Sequence, residues 1–365
     1  RKGVIPETAV LTERPPWVIA WDELSSDDRR HFAVQMETFA GFLSHTDAQI
    51  GRVVDVLTET GDIDNTIIMV LSDNGAAGDG GPNGMFVEGS SGFRSIQQYS
   101  WGWAWAGNTP FRLWKRYTWL GGVRVPLIAH WPATITPSHR GQTRTQFCHA
   151  VDVMPTILDA VGIDAPEFLD GHSQQRIDGS SLLSTFRDEA APRPRDTQYF
   201  ELMGSRAIFH DGWKATTDHV ADYGVERQHL TGSSDFRADR WSLFDLDTDF
   251  SEARDLADKH PVRLREMTEL WWHEAGRNQV LPLMDDRADR TTAIDPPAYR
   301  VASEFVLTQD DIAAGAVHLP ASFPAGFRLD IRLTVPEGIP AAGVITCYTN
   351  DVGGWACYVL DGHMH

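Results

Sequence analysis

Asp73 and Asn74 set two oxygen donors side by side at the end of the apolar run Ile67-Ile68-Met69-Val70-Leu71, with Ser72 before them and Gly75 after. A short uninterrupted apolar run suits a parallel strand buried on both faces, and open α/β sheets bind ligands just beyond the carboxyl ends of such strands. A carboxylate beside an amide carbonyl is a hard donor pair, which favours calcium or magnesium over softer transition metals. The same residues make Asx turns in any protein, so a metal site and an ordinary turn both remain open here. His130, in a second apolar run at 125–131, is expected to be a packed strand residue rather than a catalytic one.

The formal charge of −19 disfavours a nucleic-acid partner, because phosphate binding is driven by Lys and Arg. Its distribution is uneven. From Gly89 to Val151 there is no Asp or Glu, while Arg94, Arg112, Lys115, Arg116, Arg124, Arg140 and Arg144 all fall there. Such a stretch either presents a positive surface to a small anion or pairs with carboxylates elsewhere in the fold. Cys148, Cys347 and Cys357 match no zinc or redox spacing. They read as idle thiols, although Cys347 and Cys357 could meet across a hairpin. With 42% hydrophobic residues the chain is globular, and no apolar stretch approaches the roughly 20 residues that span a bilayer.

The elements that must position these groups follow from periodicity and punctuation. Ser25-Ser26 caps a helix with Asp27 and Asp28 in its first turn; Met36, Phe39, Ala40, Leu43, Ile50, Val54 and Leu57 share one face, and Gly61 stops it. Residues 75–110 are glycine-rich, aromatic and aperiodic, as loops that build sites often are. Their neighbours Trp101, Trp103, Trp105, Trp114 and Trp119 either wall an aryl pocket or pack the loop. Val151–Val161, ended by Gly162, reads as a sheet-covering helix. Strands are expected at Gln198–Leu202, Arg206–Phe209, Trp213–Thr217 and Trp241–Leu246, then a helix over His260–Ala275. Beyond residue 300, runs such as Phe327–Leu333 suggest an all-β module. Gly354–Leu360, a turn at Asp361-Gly362 and a return strand at His363 read as a hairpin half made, the mark of an internal segment of a longer protein.

Several segments, in order, carry a family resemblance. They are Met36-Glu37-Thr38-Phe39-Ala40-Gly41, Ile50-Gly51-Arg52, Leu71-Ser72-Asp73-Asn74-Gly75-Ala76, and Asn108-Thr109-Pro110-Phe111-Arg112 leading to Lys115. The series continues with Gly121–Pro132, Asp152-Val153-Met154-Pro155-Thr156, His210-Asp211-Gly212-Trp213-Lys214-Ala215 and Trp241–Leu246. Together they resemble the downstream half of a type I sulfatase, particularly the large bacterial arylsulfatases of the alkaline phosphatase superfamily.

The resemblance implies an α/β fold: an alkaline-phosphatase-like mixed or parallel sheet sandwiched by helices, incomplete here, then a smaller α+β subdomain and a C-terminal all-β module. The corresponding spans are 1–165, 166–290 and 291–365. It implies that Asp73 and Asn74 are half of a one-ion calcium (Ca2+) site and that Lys115 contacts the sulfate and its bridging oxygen, a lysine that sequence alone reads as an ordinary surface residue. The expected substrate is a small sulfate ester, above all an aryl sulfate. Sulfatases attack with a formylglycine made by a maturation enzyme from a Cys/Ser-x-Pro-x-Arg motif; no cysteine here has that context, so the nucleophile is expected upstream. Relatives often have His-Glu where Trp119-Leu120 stands. The alternatives are a phosphatase, phosphodiesterase or phosphonate hydrolase of the same superfamily, which Asn74 disfavours for the two-zinc members, or a non-catalytic anion- or carbohydrate-binding relative.

Overall fold

The structure, a computed structural model, describes residues 3–85, 97–221 and 232–285, and the backbone of 343–350, 353–360 and 363–364. The chain divides into two compact units, one of residues 1–200, 206–217 and 241–271, the other of 201–205, 218–240 and 272–365.

In the first unit helix α1, Ser26–Thr60, starts and stops where its chemistry dictates. The Ser25 hydroxyl accepts from the Asp28 N–H at 3.1 Å, and Gly61 closes the helix at φ 80°, a left-handed conformation that suits glycine. The chain then enters strand β1, Ile68–Leu71, and passes through helices α2, Trp101–Asn108, and α3, Leu120–Val123, before strand β2, Leu127–His130. These two strands pair antiparallel, Val70 opposite Ile128 and Ile68 opposite His130. The expected double-sided burial of β1 is therefore corrected. Alternation gives Met69, Leu127 and Ala129 to one face, where Leu182, Leu183 and Phe186 of the segment containing helix α5, Leu183–Arg187, cover them. The other face, carrying Val70 and Ile128, is open, with Ile128 62% exposed. His130 lies on that face and is exposed rather than packed. An apolar run reports a preference for burial, not which neighbours supply it.

Helix α4, Val153–Val161, ends at Gly162 (φ 69°) as expected, but Val151, Met154, Ile157 and Val161 are exposed, so among the described residues it covers no sheet with that face. Strands β3, Phe168–Leu169, and β4, His172–Ser173, form a short hairpin. A four-stranded sheet follows in the order β5, Thr197–Leu202, β6, Ser205–His210, β7, Trp213–Thr217, and β8, Trp241–Asp245. It is densely packed: Ala207, Ile208, Ala215 and Leu243 are fully buried. Helix α6, Pro261–Arg277, contributes buried Trp271, whose indole N–H donates to the Phe200 carbonyl at 3.1 Å.

In the second unit the His219 ring stacks on Phe236 at 4.1 Å, with Nδ1 2.8 Å from Asp239 and Nε2 3.2 Å from Asp285. Strands β9, Gly343–Asn350, β10, Gly353–Leu360, and β11, His363–Met364, pair antiparallel in sequence order. Their register sets Cys347 opposite Ala356 and Cys357 opposite Thr346. The expected strand at Phe327–Leu333 and the turn at Asp361-Gly362 lie outside the described residues. No helix among the described residues is long and apolar enough to cross a membrane.

Candidate functional site

Backbone hydrogen bonds gather the end of β1, the loop after α2 and helix α3 into one knot. The Gly75 N–H donates to Gly122 O at 3.0 Å, and Ala76 O accepts from the Lys115 N–H at 3.0 Å. Asn108 braces this closure through its side chain, accepting from the Ala76 N–H at 3.0 Å and donating to Leu113 O at 3.0 Å. Such close approach requires glycine. A Cβ on Gly75 would lie 1.7 Å from Gly121 O, and one on Gly121 would lie 2.2 Å from the carbonyls of Arg112 and Leu113.

The knot brings the backbone of Lys115 against the chain three residues beyond Asp73. Asp73 is exposed and Asn74 half-buried; neither side chain has a hydrogen-bond partner among the described residues, and the Asn74 carbonyl accepts from Ser72 Oγ at 2.7 Å. The Lys115 ammonium donates to Asp79 Oδ2 at 2.9 Å, both side chains being partly exposed. Leu113 (φ 58°) and Arg116 (φ 87°) flank it in left-handed backbone, which costs non-glycine residues energy and persists where the surroundings over-determine the shape.

Behind the knot lies a buried charge pair. Lys214 donates to Glu252 and, at 2.7 Å, to Thr118 O, while Glu252 Oε2 accepts from the Leu120 N–H at 2.7 Å. Burial pushes the Lys214 ammonium below its ordinary pKa and the Glu252 carboxyl above its own, each opposed by attraction to the other. Arg112 lies over the Trp119 ring at 4.1 Å and adds to the positive field on Glu252. Arg124 lies over Phe250 at 4.0 Å and donates to its carbonyl at 3.2 Å. Arg144 donates to Thr185 O at 2.9 Å. Much of the acid-free stretch thus holds structure together, and Arg94 lies outside the described residues. Trp101, Trp114 and Trp119 are buried, as packing residues are, and Trp101 also lines a cavity with Trp103 and Trp105.

Sequence reasoning missed three groups. Asp79 stands among glycines, the last described acid before the acid-free stretch, and its nearness to those cations was the only signal. Lys214 was visible as a lysine inside an apolar strand, but its partner Glu252 is 38 residues away in sequence. As calcium ligands, Asp73 and Asn74 fit by donor chemistry, being orphaned hard oxygens. They are only two, whereas calcium takes six to eight, and no group of three or more His, Cys, Asp or Glu suited to a metal occurs among the described residues.

Comparison with known proteins supplies the context. The Sulfatase family model matches residues 15–163, and the model for the N-sulphoglucosamine sulphohydrolase C-terminal region matches 111–270. An uncharacterised sulfatase of Schizosaccharomyces pombe is 30% identical over 81% of this chain and 53% of its own length. The chain belongs to the sulfatase family. A sulfatase of Formosa agariphila is 27% identical over 61% of this chain and 36% of its own length. The solved structure of Ps i-CgsB in complex with k-i-k-neocarrahexaose is 21% identical over 76% of this chain and 52% of its own, with a TM-score of 0.49. The chain thus spans about half the length, or less, of the curated sulfatases it matches. The first family match contains Asp73, Asn74 and Lys115, and the second contains Lys115, Lys214 and Glu252. The described residues form a mixed α/β layout of helices and antiparallel sheets.

Proposed function

We propose that the intact protein hydrolyses sulfate esters, with aryl sulfates as the preferred class, and that this chain supplies Asp73 and Asn74 to a calcium ion and Lys115 to the leaving oxygen. The observation that carries the reading is the knot, in which Lys115 is hydrogen-bonded to the backbone just past two orphaned oxygen donors.

Cleavage breaks the sulfur–oxygen bond of the ester, and negative charge grows on the departing oxygen. A preorganised ammonium in a shielded site lowers the energy of that charge more than water does. Lys115 is suited to the task, because the braced loop fixes its backbone while its side chain stays partly exposed. Asp79 holds the ammonium in the absence of substrate, and an incoming sulfate oxygen would compete with it for the same proton donor. Calcium, when bound, adds positive charge for the non-bridging sulfate oxygens. In this reading the nucleophile is a formylglycine installed by a maturation enzyme on a segment outside residues 1–365.

The test is a pair of variants of the intact protein. Asp73→Ala should remove bound calcium and activity together, and full calcium content in that variant would sink the metal assignment. Zinc in place of calcium would favour a phosphatase of the same superfamily. Lys115→Ala should lower kcat on an activated aryl sulfate by about 10²–10³-fold with an unchanged circular dichroism spectrum. Unchanged turnover would return Lys115 to the status of a surface residue.

A further inference from the structure

Asp79 is held in place through the glycines on either side of it. A Cβ on Gly78 would lie 2.1 Å from Trp114 Nε1, and one on Gly80 would lie 2.7 Å from Tyr99 O, so both neighbours press against packed structure. Gly78 O accepts from the Trp101 indole N–H at 2.9 Å and from the Gly81 N–H at 3.1 Å, while Gly81 O accepts from the Trp101 N–H at 3.0 Å. The short turn that carries Asp79 is thus tied to the start of helix α2. Lys115 is fixed from its own side, through the bond from its N–H to Ala76 O. Two anchored backbones, 36 residues apart in sequence, therefore bring the Asp79 carboxylate to 2.9 Å from the ammonium, and both side chains stay partly open to an incoming ligand.

We propose that Asp79 is a specificity-determining residue: its fixed negative charge admits monoanionic esters to Lys115 and disfavours dianionic ones such as phosphate monoesters. The inference rests on the sulfate-ester reading above and adds to it a residue and a rule of selection. A sulfate monoester carries one negative charge, whereas a phosphate monoester approaches two above its second pKa of about 6. The two are alike in shape, so contacts alone separate them poorly, and a repulsive element against the wrong ligand is the remaining device. A partly exposed ion pair adds little to stability, which leaves the field of Asp79 on the ligand as its main effect. Lys115 has three N–H donors, so an ester oxygen can take one of them while the Asp79 carboxylate stays close. At roughly 6 Å, one unit charge is worth about three- to tenfold in affinity between bulk water and the salt-screened protein surface. A monoanion meets that repulsion once and a dianion twice.

The experiment uses the intact protein turning over an activated aryl sulfate at about pH 8, with phenyl phosphate and methyl phenyl phosphate as competitive inhibitors, a pair that differs by one charge and one methyl group. Asp79→Asn should lower the inhibition constant of phenyl phosphate relative to that of methyl phenyl phosphate by about three- to tenfold, the worth of one unit charge, and should lower KM for the aryl sulfate. Asp79→Glu keeps the charge and should keep the wild-type ratio. A merely structural role would move both inhibitors alike. If Asp79→Asn does not fold, Asp79→Ala carries the same comparison, and failure of both to fold would make Asp79 a structural residue and overturn the inference. An unchanged inhibitor ratio in folded Asp79→Asn, the same altered ratio in Asp79→Glu, or loss of bound calcium in Asp79→Asn would also overturn it, while leaving hydrolysis that depends on Lys115 intact. Wild-type turnover that Lys115→Ala does not affect would instead strike the sulfate-ester reading itself, and the inference with it.

Discussion

Two sheets, the β1–β2 pair and the sheet containing β6, β7 and β8, handle the same apolar chemistry in opposite ways. In the sheet containing β6, β7 and β8 the inward residues are wholly buried, and even a lysine and a glutamate are carried inside as a bonded pair. In the β1–β2 pair one face is covered by Leu182, Leu183 and Phe186, whereas Val70 and Ile128 on the other face meet solvent. Helix α1 repeats the pattern, with Phe42 67% and Val53 61% exposed. Contiguous apolar surface of this kind marks an interaction site or an aggregation hazard. The candidate site sits at the junction: Asp73 and Asn74 extend from the half-covered strand, while the knot that holds Lys115 is anchored through Leu120 to the buried Glu252–Lys214 pair.

The contrast can be broken first at its anchored end. Lys214→Ala leaves Glu252 buried without its counter-ion, and such a change typically costs about 3–5 kcal/mol; denaturant unfolding should show a loss of that size. Lys214→Met together with Glu252→Leu should recover only part of it, because the unpaired charge is gone while the Leu120 N–H and Thr118 O still lose their partners. A smaller effect is expected at the junction. Gly75→Ala forces a methyl into Gly121 O and should cost about 1–3 kcal/mol, the range for overpacking, while also weakening calcium binding by shifting Asp73 and Asn74. The smallest effect belongs to the open face. Ile128→Thr should change unfolding free energy by no more than about 0.5 kcal/mol, as exposed positions do, and should raise solubility. A loss of several kcal/mol there would show that the face is covered after all.

Local chemistry was legible in the sequence wherever a single residue decides the outcome. Ser25 and Gly61 bound α1 because capping and left-handed termination are properties of those side chains. Trp213–Thr217 and the strand at Gly354–Leu360 followed from alternation and turn residues. What could not be read was which surfaces meet. Ile67–Leu71 announced a buried strand, but burial needs neighbours on both faces, and among the described residues only one face of Ile68–Leu71 is covered. The tryptophans near the site were equally ambiguous: Trp101 and Trp114 pack against Trp17 and Trp119 against Phe244, long-range contacts absent from their spacing. For the site, Asp73, Asn74 and Lys115 stood out through family pattern, whereas Asp79 and Glu252 are tied in only by contacts 36 and 132 residues away in sequence, to Lys115 and Leu120.

The central claim, that this chain carries calcium ligands and a leaving-group lysine but not the nucleophile, is tested most directly by complementation. Residues 1–365 alone should show no hydrolysis of an activated aryl sulfate, since an enzyme working through a covalent intermediate cannot turn over without its nucleophile. Mixed with the upstream half of the sulfatase domain carrying formylglycine, the chain should restore calcium-dependent hydrolysis, and the Lys115→Ala chain should not. Robust activity from residues 1–365 alone, or full restoration by the Lys115→Ala chain, would contradict the account.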